Sequence, residues 1–162
     1  MRMRKKKNLV PRMERCDAVH IKDGLSMRGH WRDLMPGAAA LHLELGCGKG
    51  RFTVETARQH PEILFVAVEK VADALVVAME RAMKEELKNV FFLVGDAAAL
   101  PELFAPGEVD RIYINFCDPW PPKRQAKRRL THHNFLALYR QVLAEGGADG
   151  PQGVMTDYEA KF

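Results

Sequence analysis

Apolar positions fall into two rhythms along the chain. Residues 41–45 (LHLEL), 64–69 (LFVAVE), 90–96 (VFFLVGD) and 111–116 (RIYINF) are short runs of bulky apolar side chains, the pattern of strands buried on both faces. Between them the apolar positions recur at spacings of three and four. The stretch 50–59 (GRFTVETARQ) predicts a helix stopped by Pro61. The stretch 72–88 predicts a second, with Leu75, Val76, Met79, Met83 and Leu87 on one side. The stretch 132–143 predicts a third, with Phe135, Leu138, Tyr139 and Val142 toward the core; Thr131 can cap it and Gly146-Gly147 ends it. Residues 1–40 read as irregular, apart from a short helical stretch over 30–34 before Pro36. Beyond Gly147 the tail predicts no further strand, although a helix closing on Gly-Gly should return into one.

Strands alternating with helices predict an α/β fold, a mostly parallel sheet with right-handed crossovers and helices on both faces. The 162 residues suit one domain, 1–162, with a basic arm over residues 1–12. Such sheets take ligands at the carboxyl ends of their strands, near the switch point. The unusual residues of this chain fall at those ends: Glu44 and a glycine run after the first strand, Glu69 after the second, Asp96 after the third, Asp118 after the fourth.

Composition adds a core and a partner. With 47% hydrophobic and 28% charged residues, the chain can bury a core and is not disordered. Net charge is only +4, but it is concentrated. Arg2, Arg4, Lys5, Lys6 and Lys7 form one basic block, and Lys123, Arg124, Lys127, Arg128 and Arg129 another, which predicts a phosphate-rich partner. Three widely spaced cysteines (Cys16, Cys47 and Cys117) argue for a reducing compartment, and no CxxC pair suggests zinc; no metal is expected. The basic start is followed by no apolar signal segment, and no run reaches membrane-spanning length, so a cytoplasmic protein without a membrane partner is expected. Trp31 is expected in the core, Cys47 and Cys117 as packing residues, and His132 and His133 near solvent or phosphate.

The glycine run LELGCGKG, residues 43–50, does not match the nicotinamide fingerprint, because Arg51 stands where G-x-G-x-x-G has its third glycine. It is no P-loop either, since Leu43 takes the place of the first Walker glycine before Gly48-Lys49. Glu44 would repel a diphosphate, so bare backbone at Gly46 and Gly48 beside a carboxylate asks for a ligand with a cationic end. S-adenosylmethionine answers that demand. Glu44 faces its charged methionine end, Glu69 accepts from the ribose hydroxyls as an acid at that spacing does on dinucleotides, and Asp96, followed by Ala97, accepts from the adenine amino group.

Residues 114–131, INFCDPWPPKRQAKRRLT, carry a second signal: an acid at a strand end, a loop stiffened by Pro119, Pro121 and Pro122, then the basic block. Trp120 can stack on a base or fill a pocket. Taken with LELGCGKG, VAVEK, VGDA and the opening MRMRKKK, this string resembles the bacterial tRNA (guanine-N7)-methyltransferase family over nearly the whole chain. The DPW string running through the basic block into RRLT is the specific part.

The resemblance implies a Rossmann-like methyltransferase fold, methylation of the guanine at tRNA position 46, and Asp118 as both cofactor-binding and catalytic residue. It implies RNA contacts at Arg124, Lys127, Arg128 and Arg129, and a substrate site with Thr156 and Glu159 from the family's T-x-x-E motif. The family lysine four residues after the aspartate is Pro122 here, so Lys123, one step on, is the substrate-contact candidate. A larger departure follows Gly147. The family has a strand, a helix and a strand there, and this chain jumps across: either the unit is deleted or, as the match on both flanks favours, the protein has an additional segment of roughly 40 residues between about 147 and 149.

Three rivals remain on sequence grounds. DPWPP is loosely related to the Asp/Asn-Pro-Pro-aromatic loop of exocyclic-amine methyltransferases; Trp120 in place of the second proline weakens that match. A non-catalytic RNA-binding module on a methyltransferase fold is the second. A nicotinamide oxidoreductase is the third, and Arg51 argues against it.

Overall fold

The computed structural model of the chain describes residues 5–114, 133–144 and 154–156. Its elements run α1 (Leu9–Glu14), β1 (Ala40–Leu45), α2 (Arg51–Gln59), β2 (Ile63–Glu69), α3 (Ala72–Lys84), β3 (Val90–Val94), α4 (Leu100–Leu103), β4 (Arg111–Ile114), α5 (His133–Val142) and β5 (Val154–Thr156). The sheet order is β3-β2-β1-β4-β5 and every pairing is parallel. The chain starts in the middle of the sheet, winds outward through β2 and β3, then returns past β1 to β4. The switch point therefore lies between β1 and β4, and all five carboxyl ends share one edge.

Two cores sit on opposite faces because alternate strand residues point opposite ways. Leu41, Leu43 and Leu45 of β1 pack with Ile112, Ile114, Trp31, Phe104 and Tyr139 on the side of α4 and α5. Phe65, Ala67 and Phe92 pack with Val54 and Ala57 of α2 and with Leu75, Ala78 and Met79 of α3 on the other. Burial on both faces is why the strands read as unbroken apolar runs. Trp31 is fully buried, as expected; its indole N–H donates to the Leu103 carbonyl at 2.7 Å and its ring stacks on Phe104 with centroids 4.9 Å apart. Outside β3, the Ile21 N–H donates to the Phe92 carbonyl and the Phe92 N–H to the Val19 carbonyl, each at 2.8 Å, so part of that edge is covered.

Several expectations need correction. Residues 1–40 are not irregular throughout, since α1 and a 3-10 turn at Leu25–Met27 precede the predicted turn at Trp31–Leu34. α3 stops at Lys84 rather than at residue 88. Glu86 takes a left-handed φ of 55°, and the Leu87 N–H closes back on the Ala82 carbonyl at 3.2 Å, a Schellman-type ending made without glycine. Met83, expected on the core side, is exposed. On α5, Tyr139 and Val142 are buried, whereas Leu138 is only partly covered and Leu136 packs on the core instead. The tail does supply a strand: Val154, Met155 and Thr156 pair with Ile112, Tyr113 and Ile114. Three residues are too few to show a period, but the open edge of β4 gives their backbone groups partners. Thr131, His132, Gly146, Gly147 and the segment expected after them lie outside the described residues.

Candidate functional site

The glycine loop is built from β1 outward. After Leu45 the chain stays tied to β2: the Gly46 and Cys47 N–H groups both donate to the Val68 carbonyl, at 2.8 and 3.4 Å. Gly48 and Gly50 then take left-handed φ values of 56° and 81°. Their reasons differ. A Cβ on Gly50 would stand 2.5 Å from the Ala78 Cβ and 2.7 Å from its Cα, so Gly50 lets α3 approach the loop. A Cβ on Gly48 would meet nothing within 4 Å, so there the bare backbone faces open space.

Three carboxylates stand at or just beyond the carboxyl ends of β1, β2 and β3, and Glu69 reaches the loop. Glu44, buried at 2% exposure, accepts from the Thr53 hydroxyl on the first turn of α2 at 2.5 Å. Glu69, half-buried, crosses to the loop: one oxygen accepts from the Gly48 N–H at 3.0 Å and the other from the Val71 N–H at 3.4 Å. Asp96 is exposed; it caps the turn after β3 by accepting from the Ala98 N–H at 3.0 Å, and its second oxygen lies 3.5 Å from the Lys70 ammonium.

Register makes these three a staircase. Glu44 sits opposite Ala67, two residues short of Glu69, and Glu69 sits opposite Val94, two residues short of Asp96. Ordinary strand spacing and rise put successive steps roughly 8 Å apart along the backbone. Exposure rises along the steps, so a ligand lying across them would run from the interior to the rim. The local field is negative: burial first, then Glu44 and Glu69, push the Cys47 thiol well above its usual range, leaving it an inert packing group. Cys47 is buried at 1%, in agreement with the packing role expected for it.

The carboxyl edge therefore gathers Glu44, Gly46, Gly48, Glu69 and Asp96, together with Ala97, which is buried behind Asp96. Thr156 ends β5 in register with Ile114, which in turn pairs with Leu45, so its backbone reaches the same edge. Asp118, Lys123, Arg124, Lys127, Arg128, Arg129 and Glu159 lie outside the described residues, as do Trp120 and Cys117. Two site residues escaped the sequence reading. Thr53 looked like an ordinary helix residue, and only its position below Glu44 makes it a partner. Lys70 looked like a solvated lysine, and only the β2–β3 pairing brings it to Asp96.

Comparison with known proteins agrees with this architecture. A family described as "Putative methyltransferase" matches residues 38–161. The tRNA (guanine-N(7)-)-methyltransferase of Geobacillus kaustophilus (strain HTA426) is 42% identical over all of this chain and 73% of its own length. The protein of the same name from Brevibacillus brevis is 44% identical over 88% of this chain and 65% of its own. Among solved structures, the antibiotic-resistance methyltransferase Kmr superposes with a TM-score of 0.57 at 26% identity, over 74% of this chain and 62% of that one. Identity at this level across the whole chain, with the family match over residues 38–161, has one consequence: the chain belongs to the tRNA (guanine-N(7)-)-methyltransferase family.

Proposed function

We propose that the chain transfers a methyl group from S-adenosylmethionine to N7 of a guanine in tRNA, at position 46. The observation that carries the reading is the carboxylate staircase of Glu44, Glu69 and Asp96 beside the uncovered backbone of Gly48. Three accepting carboxylates beside bare backbone suit a ligand with a cationic end, a diol and an amino group, and they disfavour a diphosphate. Glu44 would take the charged methionine end, Glu69 the ribose hydroxyls and Asp96 the adenine amino group. When bound, the cofactor supplies a methyl group made electrophilic by the sulfonium.

Guanine N7 carries an in-plane lone pair that is free at neutral pH, so no base has to remove a proton before attack. The chain's task is to hold N7 in line with the methyl group and to keep the base from drifting. Guanine becomes positively charged at transfer. Asp118, four residues past the last residue of β4 in the sequence, would stabilise that charge and accept from the base edge. Thr156 and Glu159 would orient the guanine, with Lys123 contacting it. Arg124, Lys127, Arg128 and Arg129 would hold the RNA backbone, fixing position rather than reading sequence. A tRNA substrate also supports a cytoplasmic setting. The reading retains a strand-helix-strand segment between about 147 and 149, and an intact-protein mass near 18.3 kDa would exclude it.

The test is methyl transfer from labelled donor to an unmodified tRNA transcript, with the product base identified by digestion. N7-methylguanine is expected, absent when guanine 46 is replaced. Asp118→Ala should lower the rate at saturating substrates by about a hundredfold or more; an unchanged rate removes the role given to Asp118. A methyl group found on an exocyclic nitrogen removes the N7 reading.

A further inference from the structure

Within the first basic block, the backbone of Lys6 is tied to α3, at the carboxyl edge of the sheet. The Lys6 N–H donates to Asp73 on the first turn of α3 at 2.5 Å. Six residues on, the Arg12 guanidinium grips both oxygens of Glu80 on the next turns of the same helix, with Nε 3.0 Å from Oε2. Between the two ties, Asn8 takes a left-handed φ of 60° and turns the chain into α1. Asp73 lies four residues past Glu69, so residues 5–7 arrive at the sheet edge where Glu69 bonds the glycine loop.

The two acids of α3 are used inward, to hold this segment. Lys5 and Lys7 are exposed, and no salt bridge among the described residues engages either. Other cations stand at the same edge. Lys49 is exposed in the glycine loop. Arg51 begins α2 with its side chain 82% exposed and 3.8 Å from Glu55. A cation at a helix N-terminus opposes the helix dipole, which offsets what its exposed contact with Glu55 contributes to that helix. The negative staircase is thus bordered, on the α2 and α3 side, by cations facing solvent.

We propose that residues 5–7 are a pre-positioned contact for the RNA backbone, on the opposite side of the cofactor site from the strand that leads into residues 123–129. The proposal rests on tRNA being the substrate. A loose basic tail would lose conformational freedom each time it bound, and an arm already tied to α3 loses less. With cationic contacts on both flanks, tRNA would be held across the site rather than along one margin, with its guanine delivered between them.

The experiment uses the full chain and two charge-matched pairs. Lys5→Gln with Lys7→Gln removes two charges from the arm. Lys84→Gln with Lys88→Gln removes two from the other end of α3 and the loop after it, both exposed. Affinity for a labelled, unmodified tRNA transcript is measured across salt concentrations, and S-adenosylmethionine affinity by calorimetry. Each lost phosphate contact should lower the slope of log affinity against log salt by about 0.7–0.9. The arm pair should therefore bind tRNA roughly tenfold more weakly near physiological salt, with a slope smaller by about 1.4–1.8. The Lys84 and Lys88 pair should match the parent, and cofactor affinity should hold in both.

Unchanged tRNA affinity and slope in the arm pair overturn the proposal. Equal weakening in both pairs also overturns it, because net charge alone would then explain the effect. So does an arm pair that keeps its tRNA affinity but loses adsorption to phosphatidylglycerol vesicles, which would make the arm a membrane contact. If the parent methylates tRNA while the arm pair behaves like it, this inference fails alone. A parent that transfers no methyl to tRNA removes the functional reading along with it.

Discussion

Gly48 and Gly50 share a backbone conformation and differ in what surrounds them, so the same substitution should separate two roles. Gly50→Ala drives a Cβ into Ala78 of α3 and should cost about 2–4 kcal/mol, seen as a lower melting temperature. Gly48→Ala meets nothing in the protein and should cost only about 1 kcal/mol of left-handed strain. Its methyl group would project into the opening beside Glu69, so calorimetry should show a loss of S-adenosylmethionine affinity larger than the loss of stability. His42 offers a second test. It is buried on β1 between Phe65 and Tyr113, and burial, helped by Arg111 and opposed by Asp110, lowers its pKa from 6.5 to about 4. Between those values the unfolded chain binds a proton that the folded chain refuses. Its stabilising contribution is therefore complete above pH 6.5 and is lost as pH falls toward 4, amounting to at most about 3 kcal/mol. Urea unfolding across that window should show a shallower pH slope for His42→Asn than for the parent. The placement of Glu44, Glu69 and the glycines at strand ends was legible because carboxylates and bare backbone there have no ordinary packing use. Thr53 and His42 were not, because their importance lies in neighbours that are distant in sequence.

Among the elements, legibility followed length. β1 to β4 could be read because strands buried on both faces are runs of apolar side chains, and α2, α3 and α5 because nine or more residues show a helical period. α1, α4 and β5, of six, four and three residues, are shorter than two helical turns or too short for alternation to register. The connections between elements depend on contacts that no local pattern reveals. Glu108 is the clearest: its buried carboxylate accepts from the backbone N–H groups of Gly29 and Ala105 at 2.9 Å and Trp31 at 3.3 Å, fastening the segment before β1 to the turn before β4. Glu108→Ala leaves those donors without their partner and should destabilise the fold by about 2–4 kcal/mol. A lower urea midpoint with an unchanged m-value would be the signature, since the loss is of hydrogen bonds and not of compactness. Glu108→Gln, which keeps an accepting oxygen, should recover part of it.

For the whole molecule, the two kinds of binding proposed above should respond differently to salt. On the proposed reading, cofactor binding would rely on the carboxylates of the staircase, whereas RNA binding would rely on exposed cations. Raising salt from about 0.05 to 0.2 M should weaken tRNA binding by orders of magnitude if six or more phosphates are contacted. S-adenosylmethionine affinity, measured by calorimetry over the same range, should move less than threefold, because partly buried groups are screened less. Sequence alone determined the alternation of strands and helices, the acids at strand ends, the glycine loop and the two basic blocks, because periodicity, bare backbone and charge are local properties of a chain. Tertiary structure decided which strands are neighbours, that Gly50 serves packing while Gly48 faces open space, that Val154–Thr156 joins the edge of β4, and that Lys6 and Arg12 are tied to α3. Each of these depends on the approach of segments far apart in sequence, and that approach is set by the burial of two opposite sheet faces at once.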